Sequence, residues 1–139
     1  MNIWLCPVKP RSWQVIKNVK VFGVQRRAAK TINKVRLGDL LVFHSLRPVN
    51  GIVGVFRVAS EVYEDNQDIW GPLKYPLRVR LEASPAFRVA IGNPIPISSL
   101  FGYNNKADVV IEPCLKEVSL VKLSKGQFSI LKKLFQEQD

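Results

Sequence analysis

Apolar residues along the chain fall into short blocks that are separated by Gly, Pro and Asn turn signals. Two blocks, Leu40–His44 and Ile52–Val58, are nearly continuous apolar runs typical of buried strands. The pair Asn50-Gly51 between them is a hairpin signal. Gly54 inside the second run predicts a bulge or a close backbone approach. The centre of the chain is therefore predicted to be two buried strands joined by a hairpin.

Other blocks predict further strands around this centre. Residues 2–6 are expected to form an opening strand, which Pro7 and Pro10 end. Tyr75–Glu82 alternates cleanly and predicts a half-buried strand with a charged outer face. Further short strands are expected at Val109–Ile111 and Val118–Val121. In the Tyr75–Glu82 strand, the alternation places Leu77, Val79 and Leu81 on one side and Arg78, Arg80 and Glu82 on the other.

Three helical segments complete the prediction. Ser12 is expected to cap a short helix, and residues 25–35 predict a basic helical turn or two. The capping box at 124–127, Ser-Lys-Gly-Gln, begins a C-terminal helix. The inward residues of these segments are, in order, Trp13 and Ile16, Ala29 and Ile32, and Phe128, Leu131, Leu134 and Phe135. Together the elements predict one α+β domain over residues 1–139, built on a small, strongly curved or barrel-like mixed sheet.

The distribution of charge favours a polyanionic partner. The 139 residues carry a net charge of +10. Residues 1–50 hold ten Lys or Arg and one acid, Asp39, whereas the remaining residues are close to neutral at +1. Phosphate neutralisation releases condensed counterions, so a basic region of this kind is typical of nucleic-acid binding. The alternative interpretation is an ordinary solvated basic face.

Few residues in the sequence suit catalysis or cofactor binding. One histidine and two isolated cysteines, Cys6 and Cys114, give no zinc-ligand spacing and no disulfide framework. There is no Gly-rich phosphate loop and no Gly-x-Ser-x-Gly elbow, so we expect neither a cofactor nor a metal. His44 is interpreted as a structural residue, with an acid/base role as the alternative. Without a signal peptide or a long apolar run, we expect a cytoplasmic protein with no membrane segment.

Aromatic and basic residues are the remaining candidates for function. Arg26 and Arg27 follow Phe22-Gly23-Val24 after a single residue, so a stacking residue and two phosphate ligands are expected side by side. The ordered series of motifs resembles the EVE domain family over nearly the whole chain. The motifs of this series are Ile3–Leu5, Phe22–Val24, Gly38–His44, Ile52–Val58, Tyr63–Asp65 and Tyr75–Val79.

The resemblance implies a PUA-like pseudo-barrel of short mixed strands with flanking short helices and a C-terminal helix. It also implies binding of RNA or DNA through an aromatic pocket for a modified, flipped-out base. The implied pocket residues are Phe22, Gly23 and Val24 in one wall, Trp4 at the floor or in the adjacent core, Phe43 and His44 at the rim and Trp70 opposite. The implied phosphate ligands are Arg26, Arg27, Lys30 and Arg78.

Two departures from the family pattern bear on the ligand. Phe22 stands where the family usually has Trp, and His44 stands where it often has Tyr. The Gly-x-Lys-x-x-Glu signature of the related ASCH domains is absent. The leading hypothesis is thus a non-catalytic reader of nucleic acid. The alternatives are an enzyme acting on a nucleobase or an amide through His44, and a module that docks on the ribosome or on an acidic protein.

Overall fold

Seven strands form one mixed sheet in the part of the chain that the computed structural model describes, residues 1–71, 75–84, 87, 93–96 and 120–137. The strands are β1 (Ile3–Val8), β2 (Val21–Val24), β3 (Leu40–Ser45), β4 (Gly51–Val58), β5 (Tyr63–Glu64), β6 (Leu77–Ala83) and β7 (Val121–Lys122). The helices are α1 (Pro10–Val19), a 3-10 turn at Arg26–Ala28, α2 (Ala29–Ile32) and α3 (Lys125–Glu137).

The sheet has the strand order β2-β6-β4-β3-β1-β7, with β5 pairing against β6. β1 and β3 are parallel, with Leu5 opposite Val42, and the other pairs are antiparallel. The sheet curls into a half-barrel with short helices on its flank and α3 at the end of the chain. The predicted α+β fold, a strongly curved mixed sheet with flanking short helices and a C-terminal helix, is confirmed.

The three central strands bury both of their faces. Even and odd positions of a strand point to opposite sides of the sheet, and here each side has its own apolar core. One core joins Trp4, Phe43 and Phe56 to Trp13 and Ile16 of α1. The other core is made by Leu5, Val42 and Val55 with Leu131 and Phe135 of α3. Burial on both faces explains why the sequence of β3 is a continuous apolar run.

The hairpin between β3 and β4 follows the prediction closely. Phe43 lies opposite Gly54 and His44 lies opposite Ile52, so Val53 is an extra residue in β4 and forms a bulge. At the turn, Asn50 adopts a positive φ of 52°, a conformation that Asn tolerates better than most residues. The predicted hairpin and the predicted bulge at Gly54 are both confirmed.

Two predicted boundaries are wrong, one at the start of α1 and one at the end of β1. α1 begins at Pro10 with Lys9 as its N-cap, so Ser12 is not the cap. Proline is favoured at the first helical position because its ring presets φ and the missing amide hydrogen is not needed there. β1 continues through Pro7, since β7 pairs only with Trp4 and Leu5 among the described residues and leaves an edge beyond them.

The C-terminal helix begins with the predicted capping box. The Ser124 amide donates to Gln127 Oε1 at 2.8 Å, and the Gln127 amide donates to Ser124 Oγ at 3.1 Å.

None of the helices in the described ranges combines the length and hydropathy that a membrane span requires. Cys6 is a buried free thiol. Cys114, the strand predicted at Val109–Ile111 and most of that at Val118–Val121 lie outside the described residues.

Candidate nucleic-acid interface

An aromatic cavity lies where β2, α1 and the loop between β5 and β6 meet. Phe22, Gly23, Trp70 and Tyr75 line it, together with Ser12 and Ile16 of α1. Its volume of about 20 Å³ is enough for roughly one water molecule. The structure therefore brings together three residues of the predicted pocket, Phe22, Gly23 and Trp70, and adds Tyr75 to them.

Trp70 closes this cavity by packing directly over Gly23. A Cβ atom built on Gly23 would lie 3.0 Å from Cη2 of Trp70 and 2.9 Å from the carbonyl oxygen of Tyr75. Both separations are shorter than ordinary van der Waals contact, so only a glycine allows the indole to lie this close to the strand. Gly23 lies within β2, opposite Arg78 of β6, and provides a flat surface there.

Arg78 and Tyr75 hold the Trp70 ring in position. The Arg78 guanidinium carbon lies 5.0 Å from the Trp70 ring centroid, and the Tyr75 ring meets Trp70 edge-on at 5.5 Å. Arg78 Nε donates to the Tyr75 carbonyl at 2.9 Å, another of its amines donates to the Gln67 carbonyl, and Asp65 lies 3.5 Å away. Arg78 lies on the side of β6 opposite the core residues Val79 and Leu81, as predicted, but it is not exposed to solvent, because the 65–71 loop covers it and leaves the side chain 2% exposed. As placed here it positions Trp70 and offers no free surface to a phosphate.

An outer cleft of about 370 Å³ lies beside the cavity and shares Ser12, Trp70 and Tyr75 with it. Lys9 and Arg11 contribute the basic groups of this cleft. Pockets of about 300–1,000 Å³ are typical of ligand sites. The cleft thus has the size of a ligand site, two cationic side chains, and aromatic rings shared with the cavity.

The structure places Trp4, Val24 and Phe43 in the apolar core and not at the cavity. Phe43 is fully buried and packs edge-on against Phe22, with ring centroids 5.5 Å apart. Trp4 Nε1 donates to Oδ2 of Asp39 at 3.0 Å. Asp39 also accepts the Arg36 amide on Oδ2 and the Asn2 amide on Oδ1, both at 2.9 Å. Phe43 therefore supports the cavity wall from behind, and Trp4 anchors β1 to the turn before β3.

His44 lies on the opposite side of the sheet from the cavity. Adjacent strand residues alternate in direction, so His44 projects away from the face that Phe43 occupies. Its ring is buried, and neither ring nitrogen has a hydrogen-bond partner among the described residues. Burial lowers the pKa of His44 to about 4, so the imidazole is neutral near pH 7. The structure does not bring this residue to the predicted rim.

The predicted phosphate ligands Arg26, Arg27 and Lys30 are exposed on the 3-10 turn and α2. Arg26 donates to Glu64 at 2.7 Å, and this contact lowers the pKa of Glu64 through the hydrogen bond and the charge of the guanidinium. The cations that border the cleft are instead Lys9 and Arg11. Sequence reasoning missed them as site residues, although a basic residue on each side of Pro10, at the start of a helix, is a recognisable signal.

Comparison with known proteins agrees with this architecture. The EVE domain model matches residues 2–132. The chain belongs to the EVE domain family. A UPF0310 protein of Pyrococcus abyssi is 37% identical over 94 residues, which cover 58% of this EVE domain chain and 65% of the relative. The chain thus spans just under two thirds of the length of the curated relatives it matches first.

Two solved structures show how widely this fold is shared. Rpa0253 from Rhodopseudomonas palustris superposes with a TM-score of 0.69 at 17% identity, covering 100% of this chain and 96% of that one. The Mmi1 YTH domain, solved in complex with RNA, superposes with a TM-score of 0.62 at 10% identity, covering 98% of this chain and 78% of that one. At these identities the similarity shows that the EVE domain shares its fold with the YTH domain.

Proposed function

We propose that this EVE domain is a non-catalytic nucleic-acid-binding module that accepts an unpaired base, preferably a modified one, at the Trp70 cleft. The observation that carries the proposal is the position of Trp70, whose ring lies between an aromatic cavity and a cleft with two cations. The fold shared with a YTH domain that was solved with RNA supports the same class of ligand.

The cleft has the chemistry that an extruded base requires. Stacking on an aromatic ring contributes about 1–3 kcal/mol per base and tolerates any base, because every base has a π face. Trp70 is held by Arg78 and Tyr75 before any ligand arrives, so little rotamer entropy is lost on binding. A methyl group on the base would gain contacts with the apolar lining from Val15 and Ile69. The nearby cations suit the adjacent phosphate.

The geometry disfavours the enzyme hypothesis that relies on His44. A general acid or base must come within hydrogen-bond reach of the reacting proton. His44 is buried on the other side of the sheet and is neutral above a pKa of about 4. In the described ranges no three His, Cys, Asp or Glu side chains are grouped so that they could hold a metal ion. Binding without chemistry therefore fits the cleft better.

Binding of single-stranded oligonucleotides by the Trp70→Ala variant tests the proposal. Loss of one stacking platform worth about 1–3 kcal/mol predicts a decrease in affinity of roughly 5- to 150-fold. Tyr63→Ala is the matched control, because Tyr63 is also partly buried and stacks on a guanidinium, that of Arg80, but lies outside the cleft. Tyr63→Ala should retain wild-type affinity.

The preference for a modified base has a separate readout. The wild type and Phe22→Ala are compared on strands that differ only by a methyl group on one base. We expect Phe22→Ala to lose more affinity for the modified strand than for the plain one, because Phe22 lines the cavity behind Trp70. Equal wild-type affinity for the two strands would leave a general binder. Failure of the wild type to bind any strand would overturn the proposal as a whole.

A further inference from the structure

A second depression, the turn groove, adjoins the cleft and is lined by three cationic residues, Lys9, Arg11 and Arg47. One side of the turn groove is the junction before and within the first turn of α1, Lys9, Pro10 and Arg11. The other side is the turn between β3 and β4, with Leu46, Arg47, Pro48 and Asn50. Its volume is about 710 Å³, and it shares Lys9 and Arg11 with the cleft. The turn groove and the cleft therefore adjoin each other at these two residues.

The two sides of the turn groove are fixed to each other. The Leu46 amide donates to the Val8 carbonyl at 2.8 Å, which ties the β3–β4 turn to the end of β1. Within the turn, the Val49 amide donates back to the Leu46 carbonyl at 3.1 Å. Pro10 fixes the first residue of α1. Because these contacts are made within the protein itself, the turn groove is formed without a ligand.

The turn groove combines exposed cations with apolar surface. Arg11 and Arg47 are exposed, and neither forms an ion pair with a described residue. No acidic side chain occurs among the described residues that line the groove. Pro10, Leu46 and Pro48 add apolar surface to the same groove. By contrast, Arg26 on the 3-10 turn already forms an ion pair with Glu64.

We infer that the turn groove receives the nucleotides that flank the base held in the cleft, with their phosphates toward Arg11 and Arg47 and their unstacked sugars and bases on the apolar surface. This inference rests on the proposed function and names its substrate as a single strand. A paired and stacked base cannot enter the cleft without leaving its duplex. The apolar surface of the groove offers a contact to unstacked nucleotides that a duplex backbone would not use.

The salt dependence of binding tests the inference. The probes are single strands of about 12 nucleotides, within the usual range of site sizes, as RNA and as DNA of one sequence, and the matching duplex. For single strands, each phosphate contact contributes about 0.7 to the slope of log affinity against log salt concentration. The Arg11→Gln/Arg47→Gln double variant should therefore lose about 1.4 from this slope. The control Lys132→Gln/Lys133→Gln neutralises two exposed cations on α3 and should keep the wild-type slope.

The outcomes separate this inference from the proposed function. Loss of slope in the double variant alone supports the turn groove, and the probe that binds more tightly identifies the sugar that it accepts. Sensitivity to Trp70→Ala with an unchanged slope in the double variant overturns the turn groove and leaves the cleft. Tighter binding of the duplex, or equal competition by a polyglutamate peptide, overturns the single-strand assignment. Absence of binding by the wild type overturns the proposed function and the inference with it.

Discussion

A methyl group at position 23 would act directly on the contact that closes the aromatic cavity. In Gly23→Ala the new Cβ lies 2.9 Å from the Tyr75 carbonyl oxygen and 3.0 Å from Trp70 Cη2, whereas ordinary contact begins at 3.4 Å. The groups must therefore separate by about half an ångström. Gly23 does not have a positive φ, so the backbone accepts alanine and the effect is steric.

The magnitude follows from two opposing contributions. Overpacking costs about 1–3 kcal/mol, and the reduced freedom of the unfolded chain returns about 0.4–1 kcal/mol. We expect the free energy of unfolding of Gly23→Ala to decrease by about 1–2 kcal/mol. Since the displaced ring is the proposed stacking platform, affinity for a single strand should also decrease by roughly tenfold, or about 1.4 kcal/mol.

Urea denaturation and oligonucleotide titration measure both effects, and Gly126→Ala is the matched control. A Cβ at Gly126 meets only Ser124 Oγ, at 3.9 Å, and lies in the first turn of α3. Alanine there should stabilise the protein by up to about 1 kcal/mol and leave binding unchanged. An unfolding free energy of Gly23→Ala equal to that of the wild type, with unchanged affinity, would refute the reasoning, because the methyl would then fit without moving Trp70.

Two further predictions concern buried polar groups. Asp39→Ala should lower the free energy of unfolding by about 4.5 kcal/mol or more, since hydrogen bonds to charged groups are worth about 1.5–3 kcal/mol each and Asp39 accepts three. Asp39→Asn retains one acceptor and should lose less; equal losses in urea denaturation would contradict this account. Burial holds the pKa of His44 near 4, below its unfolded value of about 6.5. Below pH 6.5 the unfolded state therefore binds a proton that the folded state does not bind. The free energy of unfolding should decrease for this reason as the pH falls from 6.5 toward 4, by about 3 kcal/mol in all. His44→Leu should remove this part of the pH dependence, and a variant whose unfolding free energy follows the wild-type pH curve would exclude the burial of His44 as its cause.

The sequence predicts well those elements that short-range patterns determine. The apolar runs of β3 and β4, the Asn50 turn and the bulge at Gly54 depend on residues close together in the chain. The capping box of α3 is equally local. Phe22, Gly23 and Trp70 could be associated through the family resemblance, and the structure brings them to one cavity.

Other features depend on contacts between distant segments, which a single sequence does not display. Strand alternation predicts Arg78 outside, but the 65–71 loop returns over β6 and covers it. Phe43 and His44 are neighbours in sequence, yet the two faces of the sheet separate them. Arg11 and Arg47 approach a common groove only because β1 and β3 run parallel and end side by side. Charge counting locates the basic region but not the side chains that share a surface.

The burial of β3 and β4 on both faces has a consequence for the unfolded chain. Residues 40–56 contain a single formal charge, at Arg47, and consist largely of β-branched, aromatic and leucine side chains. Such segments associate with one another when they are exposed. The net charge of +10 keeps unfolded copies apart, but salt screens this repulsion over about 8–10 Å at physiological ionic strength. The basic residues that suit a polyanion thus also protect the central hairpin from self-association before the sheet has closed over it, and they do so best in dilute salt.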